Sequence, residues 1–248
     1  MKTKSAFLRL LYWLRDLRSR ALFRALAQHC RGEVLDVGGW DFFESAIARG
    51  VRFERWTTLE HDRERELASS DPRVVVAYGD GCAMEFADAS FDTVLNVQVL
   101  EHVFEPLRMV GEVARVLRPG GKAIFLVPCT STMHIAPHYH GNFSRYWIQE
   151  ALRRSNLEIV ELHELGGVWS TCASRTFFFL LQAVRYEGMS DPAIRRSALF
   201  WLLVPFQVLF ALVLIPIALV FSLGDLGEEP NNHLVVAQKP LPRDVPFG

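Results

Sequence analysis

The chain has 248 residues, half of them hydrophobic, enough for one full-sized domain with a substantial core. Its net charge of −1 hides a split: residues 1–31 carry eight Lys/Arg against Asp16 alone, +7, which leaves −8 for the remainder. Four scattered cysteines (Cys30, Cys82, Cys129, Cys172) with no CxxC pair argue against a disulfide framework or a cysteine-based zinc site, and suit a reducing compartment.

Residues 5–28 are predicted as a helix. Phe7, Leu10, Leu11, Leu14, Leu17, Ala21 and Ala25 recur at helical spacing, and Arg9, Arg20 and Arg24 lie largely opposite, with Arg18 breaking into the stripe. Such a helix either packs on the domain or lies on an anionic surface. Its Leu and aromatic content favours a membrane over nucleic acid, and Arg9, Arg15 and Arg18 interrupt what would be the apolar core of a signal peptide. Strands are then predicted at Glu33–Val37, Arg55–Leu59, Val74–Tyr78, Phe91–Val97 and Lys122–Val127. A helix over Pro106–Val116 is stopped by Leu117-Arg118-Pro119-Gly120-Gly121, where Pro and paired Gly cannot continue it. Ser144–Arg154 reads as a helix capped by Ser144, followed by strands at Glu158–His163 and Leu234–Gln238. Alternation of this kind predicts an α/β fold, a mostly parallel sheet covered by helices on both faces. The run Val34-Leu35-Asp36-Val37-Gly38-Gly39 is an apolar strand ending in an acid and a glycine turn, the means by which open α/β sheets present backbone and carboxylate to nucleotide-like ligands.

Six segments in order resemble the class I S-adenosylmethionine-dependent methyltransferases, within the broad group of quinone, lipid and glycan methyltransferases. They are Val34-Leu35-Asp36-Val37-Gly38, Thr57-Thr58-Leu59-Glu60, Gly79-Asp80-Gly81, Ser90-Phe91-Asp92-Thr93-Val94, Gln98-Val99-Leu100-Glu101-His102-Val103 and Leu117-Arg118-Pro119-Gly120-Gly121-Lys122. They cover residues 33–163, and the last strand adds to them. The resemblance implies a Rossmann-like seven-stranded sheet, within which this chain's own apolar stretch reads as a helical insert between the last two strands, and S-adenosyl-L-methionine as cofactor. Glu60 would accept both ribose hydroxyls, with Asp62 a competitor for the role, because a carboxylate offers two acceptor oxygens. Asp80 would accept from the adenine amino group beside the Gly81 and Cys82 amides. Gly38 and Gly39 would let backbone approach the methionine portion, Asp36 would order that turn and face its cationic end, and Gln98 would line the transfer pocket. One position departs from the family: Trp40 stands where a second loop glycine is usual, so its ring must point away or reshape the methionine end.

Methyl transfer to a hydroxyl needs an aligned acceptor and a base. The loop after the fifth strand carries His134, His138, Tyr139 and His140; His138 and His140 are the candidate bases, and with no acid nearby in sequence no metal site is expected there. His102 is expected to support the pocket wall. Leu199–Leu223 is 25 residues without a charge, long enough to cross a bilayer, and Val168–Val184 precedes it with Arg175 inside. An insert between two paired strands must return to the side it left. It therefore crosses twice or dips and returns, and Pro205 and Pro216 favour broken, shallow geometry, a monotopic hairpin. The alternative is an apolar helix covering the sheet or a homodimer interface. The chain thus divides into a basic amphipathic helix (1–30), a methyltransferase core (31–164), an apolar membrane-associating insert (165–230) and a final strand with tail (231–248). The expectation is an O-methyltransferase at the cytoplasmic face of an anionic membrane, without nucleic acid, acting on a lipid, a quinone-like ring or a lipid-linked saccharide. A non-catalytic membrane scaffold with a degenerate cofactor loop is the rival.

Overall fold

The computed structural model describes residues 19–64 and 67–242. Most of the predicted N-terminal helix, including the stripe from Phe7 to Leu17, lies outside them. The described part, residues 19–29 (α1), is helical, and it buries Leu22, Ala25 and Leu26 against the sheet. The elements that follow are β1 (Glu33–Val37), α2 (Phe42–Ala48), β2 (Arg55–Glu60), β3 (Val74–Tyr78), β4 (Phe91–Val97), α3 (Pro106–Val116), β5 (Leu117–Pro128), α4 (Arg145–Arg154), β6 (Glu158–Leu165), α5 (Val168–Ala183), α6 (Ala198–Phe221) and β7 (Asn232–Gln238).

The seven strands form one sheet in the order β3-β2-β1-β4-β5-β7-β6, parallel except for β7, which runs antiparallel to both β5 and β6. The side-chain period of two sorts each strand between two cores. Along β7, Val235 and Ala237 join α3 and α4 on one face, while Leu234 and Val236 join α1 and α2 on the other. Both faces being covered explains the near-continuous apolar runs in the strands. Strand order reverses between β1 and β4, and in an open α/β sheet that reversal opens a ligand crevice beyond the carboxyl ends of the strands.

Strand β5 and helix α6 differ from their sequence prediction by more than a residue or two at their ends, whereas α4 follows it. Strand β5 begins at Leu117, five residues before the predicted Lys122. Leu117 pairs with Phe91 and Lys122 with Thr93, so Pro119-Gly120-Gly121 is looped out between two ladder pairs, with Gly120 at φ +81°. The same residues stop α3 and form the bulge. Helix α4 starts at Arg145, and the Ser144 hydroxyl accepts from the Trp147 N–H at 3.3 Å, as a cap should. Helix α6 is unbroken: it runs through Pro205 and Pro216, against the expectation of broken geometry. Each proline removes one N–H donor, a local cost that the flanking apolar turns absorb.

Helices α5 and α6 form an antiparallel hairpin. The start of α5 meets the end of α6 through the Trp169 and Phe221 rings, 4.9 Å apart. At the other end Arg196 donates to the Ala183 and Gln182 carbonyls. Small residues line the seam: Ala211 and Ala218 are the buried residues of α6, while Ala173 and Ala183 are buried on α5. The rest of α6 is open, with Phe206 70%, Leu209 65% and Leu223 beyond its end 89% exposed. It is the one helix among the described residues long and apolar enough to cross a membrane.

Candidate functional site

Backbone hydrogen bonds just past the strands tie the carboxyl end of β1 to β2, of β2 to β3, and of β4 to β5. The Gly38 N–H donates to the Leu59 carbonyl at 2.8 Å, the Gly79 N–H to the Glu60 carbonyl at 2.9 Å, and the Gln98 N–H to the Leu126 carbonyl at 2.9 Å. This brings Asp36, Gly38, Gly39, Glu60, Asp80, Gly81 and Gln98 to one edge. Asp36 is wholly buried beneath the glycine turn, and neither of its carboxylate oxygens has a hydrogen-bond partner. Burial, then the negative Glu60 nearby, raise its pKa well above the ordinary value, with the Trp56 indole in weak opposition. Gly38 sits at φ +68°, and a Cβ on Gly39 would lie 1.9 Å from Asp36 Oδ2. Only glycine lets the backbone fold over that carboxylate.

Trp40 occupies the left-handed region, at φ 51°, where its family's glycine would sit freely. Its N–H donates to Glu60 Oε1 at 2.6 Å, so the turn is kept and tied to β2. Asp62 instead spends Oδ1 on the Glu64 N–H, a local turn, which separates it from the role open to Glu60. Asp80 is exposed at the rim, and its Oδ1 accepts from the Cys82 N–H at 2.7 Å. The Cys82 amide expected to face a ligand is therefore already engaged. Gly81 packs under Met109 and Val37. Gln98, at φ 58°, donates its side-chain amide to Asn232 Oδ1 at 2.8 Å and to the Leu126 carbonyl, stapling β4 to β7.

The histidine loop is arranged differently from expectation. The rings of His138 and His140 are exposed; His138 contributes its carbonyl, which accepts from His102 Nδ1 at 2.5 Å, and His140 its N–H, which donates to the Glu101 carbonyl at 2.7 Å. The rings that turn inward are His102 and His134, in edge contact at 4.9 Å between centroids, with Tyr139 beside them. Under them lies Glu101, fully buried with both oxygens unpartnered, its pKa pushed up to about 7 by burial. Burial, with His134, His140 and His138 nearby, holds the His102 pKa below the imidazole norm. Sequence reasoning gave Glu101 no role and passed over His134 among the loop histidines in favour of His138 and His140. The only signal was an acid inside an apolar run some thirty residues from the loop that covers it.

Two cavities stand out. One of about 770 Å³ lies between α2 and residues 68–73 and touches none of the rim residues. The other, about 470 Å³, is lined by His134 and Tyr139 of the histidine loop and by Phe179, Ile194, Arg196 and Phe200 of the helical hairpin. Chemistry favours the smaller: it alone joins titratable rings to an apolar wall.

Residues 23–125 match the methyltransferase domain family. A probable S-adenosylmethionine-dependent methyltransferase of Mycolicibacterium smegmatis is 32% identical over 164 residues, 63% of this chain and 59% of that one. The chain spans less than two thirds of the length of the curated relatives it matches. Among solved structures, a putative methyltransferase of Bacillus halodurans aligns over 89% of this chain and 98% of its own with a TM-score of 0.55 at 15% identity. The [4+2]-cyclase SpnF aligns over 90% and 81% with 0.57 at 18%, a likeness of fold alone. The sheet order, the β1 glycine turn over a buried acid, and these matches agree: residues 23–125 form a methyltransferase domain of the class I S-adenosylmethionine-dependent kind.

Proposed function

We propose that this chain transfers a methyl group from S-adenosylmethionine to an oxygen of an amphipathic acceptor held at the cytoplasmic face of an anionic membrane. The observation that carries the acceptor class is the 470 Å³ cavity that the histidine loop shares with the exposed apolar hairpin. An acceptor with a polar head and a greasy tail suits a pocket with titratable rings on one wall and Phe179, Ile194 and Phe200 on the other.

The rim fits the cofactor chemically. Asp36 is a buried acid without a hydrogen-bond partner, suited to a cationic amino-acid end, and the bare Gly38-Gly39 backbone leaves room above it. Glu60 ends β2 at the rim, where a carboxylate suits a ribose diol, while Asp80 stands exposed where an adenine edge would meet it. When bound, the cofactor supplies an electrophilic methyl group on a sulfonium. The chain's residues then have to orient the acceptor, exclude water and take or hold the hydroxyl proton. His134 lines the cavity with the His102 ring against it, while His138 and His140, the bases expected from sequence, have exposed rings and reach His102 and Glu101 through backbone groups.

The rival reading, a non-catalytic scaffold, leaned on Trp40. The Trp40 N–H bond to Glu60 supports a loop that keeps its shape. Titration calorimetry with S-adenosylmethionine separates the two readings, and heat with one-to-one stoichiometry is expected. Membrane extracts incubated with methyl-labelled cofactor should then yield label in the organic phase. Absence of binding heat at millimolar cofactor overturns the enzyme reading, and label confined to water-soluble products overturns the acceptor class.

A further inference from the structure

The geometry points to a divalent transition-metal site made by Glu101, His102 and His134. One donor atom of each lies within 4.8 Å of the others. Three features make this a built site rather than a chance cluster.

Glu101 is fully buried, with neither carboxylate oxygen hydrogen-bonded, and His102 Nε2 stands 4.0 Å from Glu101 Oε1. A carboxylate taken out of water without a partner is costly, and a cation is the partner that offsets the cost. The two rings are also held in the tautomer a metal requires. His102 Nδ1 lies 2.5 Å from the His138 carbonyl oxygen and His134 Nδ1 2.9 Å from the Thr132 carbonyl oxygen. A carbonyl only accepts, so each Nδ1 carries the proton and each Nε2 is left with its lone pair. Backbone carbonyls fixing the far nitrogen are the usual outer support of metal-bound histidine. Finally, the rings meet edge to face at 88°, so their nitrogens can converge without stacking.

Two imidazoles and one carboxylate favour Zn²⁺ or its first-row neighbours over Mg²⁺ or Ca²⁺, which prefer oxygen. Three protein ligands leave a fourth position open, the arrangement of catalytic rather than structural zinc. His134 also lines the 470 Å³ cavity, so that open position faces the space proposed for the acceptor. The site thereby deepens the proposed function and rests on it for its role. A hydroxyl oxygen bound to the cation is acidified. Its O–H bond breaks, the proton passes to solvent, and the pair left on oxygen would form the bond to the methyl carbon as the carbon–sulfur bond of the sulfonium breaks, that pair leaving on sulfur as S-adenosylhomocysteine. No oxidant or reductant is needed. His138 and His140, whose backbone groups contact His102 and Glu101, act as positioning residues.

The test uses the untagged full chain, stripped with chelator and dialysed against ZnCl2, MnCl2 or MgCl2, with metal counted by plasma mass spectrometry. We expect one Zn²⁺ per chain and none of the Mg²⁺. His134→Ala, in a surface loop, should weaken Zn²⁺ binding at least tenfold, and so should Glu101→Gln. His163→Ala, at a ring paired with Glu161 on the exposed edge of β6, should leave binding unchanged. Substoichiometric Zn²⁺, or equal uptake by the wild type and His134→Ala, overturns the site. Calorimetry with S-adenosylmethionine on the same samples keeps the two proposals apart. Cofactor binding and labelled product without metal sink the cation alone; stoichiometric, His134-dependent metal without cofactor binding sinks the methyltransferase reading alone.

Discussion

Asp36 sets the residue scale, because its environment is legible as free energy. Burial first, and Glu60 second, raise its pKa above the ordinary carboxylate value, so the folded chain holds a proton that the unfolded chain has released. The folded state then binds more protons than the unfolded one, and stability falls as pH rises from the ordinary carboxylate range through the raised value. Asp36→Asn keeps the shape of the neutral acid and removes this slope. Without cofactor, we expect the wild type to lose melting temperature more steeply than the variant as pH rises above the ordinary carboxylate range, the variant keeping only the share of the slope that Glu101, raised to about 7, contributes. At the alkaline end the variant should be the more stable, read as a higher melting temperature, each kcal/mol being about 2–4 °C in a domain of this size. A scanning-calorimetry pH series checks it, and parallel slopes would contradict the buried-acid reading. The contrast with Glu101 shows what a sequence conceals at this scale. Asp36 announces itself by ending an apolar strand before paired glycines. Glu101 sits in Leu100-Glu101-His102 after β4, and its burial depends on His134 and Tyr139 folding down from a loop more than thirty residues away. No local pattern carries that information, so the buried acid missing from the histidine loop's sequence context was supplied by tertiary folding.

At the scale of elements, the hairpin depends on how α5 begins. Gly167 packs so closely against the end of the insert that a Cβ would lie 2.0 Å from the Leu226 carbonyl oxygen. There Asp225 accepts from the Trp169 and Ser170 N–H groups, each at 2.8 Å. Burial alone would raise the pKa of this carboxyl, but the amide donors of Ser170, Trp169 and Leu226 outweigh it and hold it below the usual range. Capping of a helix N-terminus by a carboxylate contributes about 1–2 kcal/mol. Asp225→Ala should therefore speed hydrogen exchange in the first turn of α5 by about fivefold to thirtyfold, leaving exchange in β1 and β4 unchanged. Equal protection in the variant would mean that packing, not the cap, sets the start of α5. Strands β1, β3 and β4 were legible to the residue because turn signals bound their apolar runs. The bulge of β5 was not, since Pro119-Gly120-Gly121 carries the same signature whether it ends a helix or loops out of a strand. The two prolines of α6 misled in the other direction: a proline signals a lost donor, and whether the helix survives depends on the turns around it.

The whole molecule poses one question, what covers α6. The insert leaves β6 at Leu165 and returns to β7 at Asn232, residues paired with each other in the sheet, so both ends lie on one side. Helix α6 spans 24 residues, about 36 Å. Its partner α5 spans 16 residues, about 24 Å, short of the roughly 30 Å hydrocarbon core, and it carries Arg175. Two full crossings therefore do not fit the hairpin, whereas on the proposed membrane reading a pair lying in one leaflet would leave Arg175 near the headgroups and the open face of α6 in acyl chains. Phe206 and Leu209 are central to that face. Burying a large apolar side chain stabilises by about 1.5–3 kcal/mol, so replacing both with Asp should remove at least about 3 kcal/mol of membrane affinity, on the order of a hundredfold in partitioning. Phe206→Asp combined with Leu209→Asp is expected to stay in the supernatant when sedimented with vesicles containing anionic lipid, while the wild type pellets. If the face is instead a contact between two copies, sedimentation equilibrium would show a wild-type dimer that the variant dissolves, with vesicle binding alike for both. Because the substituted residues lie away from the rim, cofactor affinity should survive in the variant, and its loss would mean that the hairpin and the sheet are one folding unit rather than an anchor and its cargo.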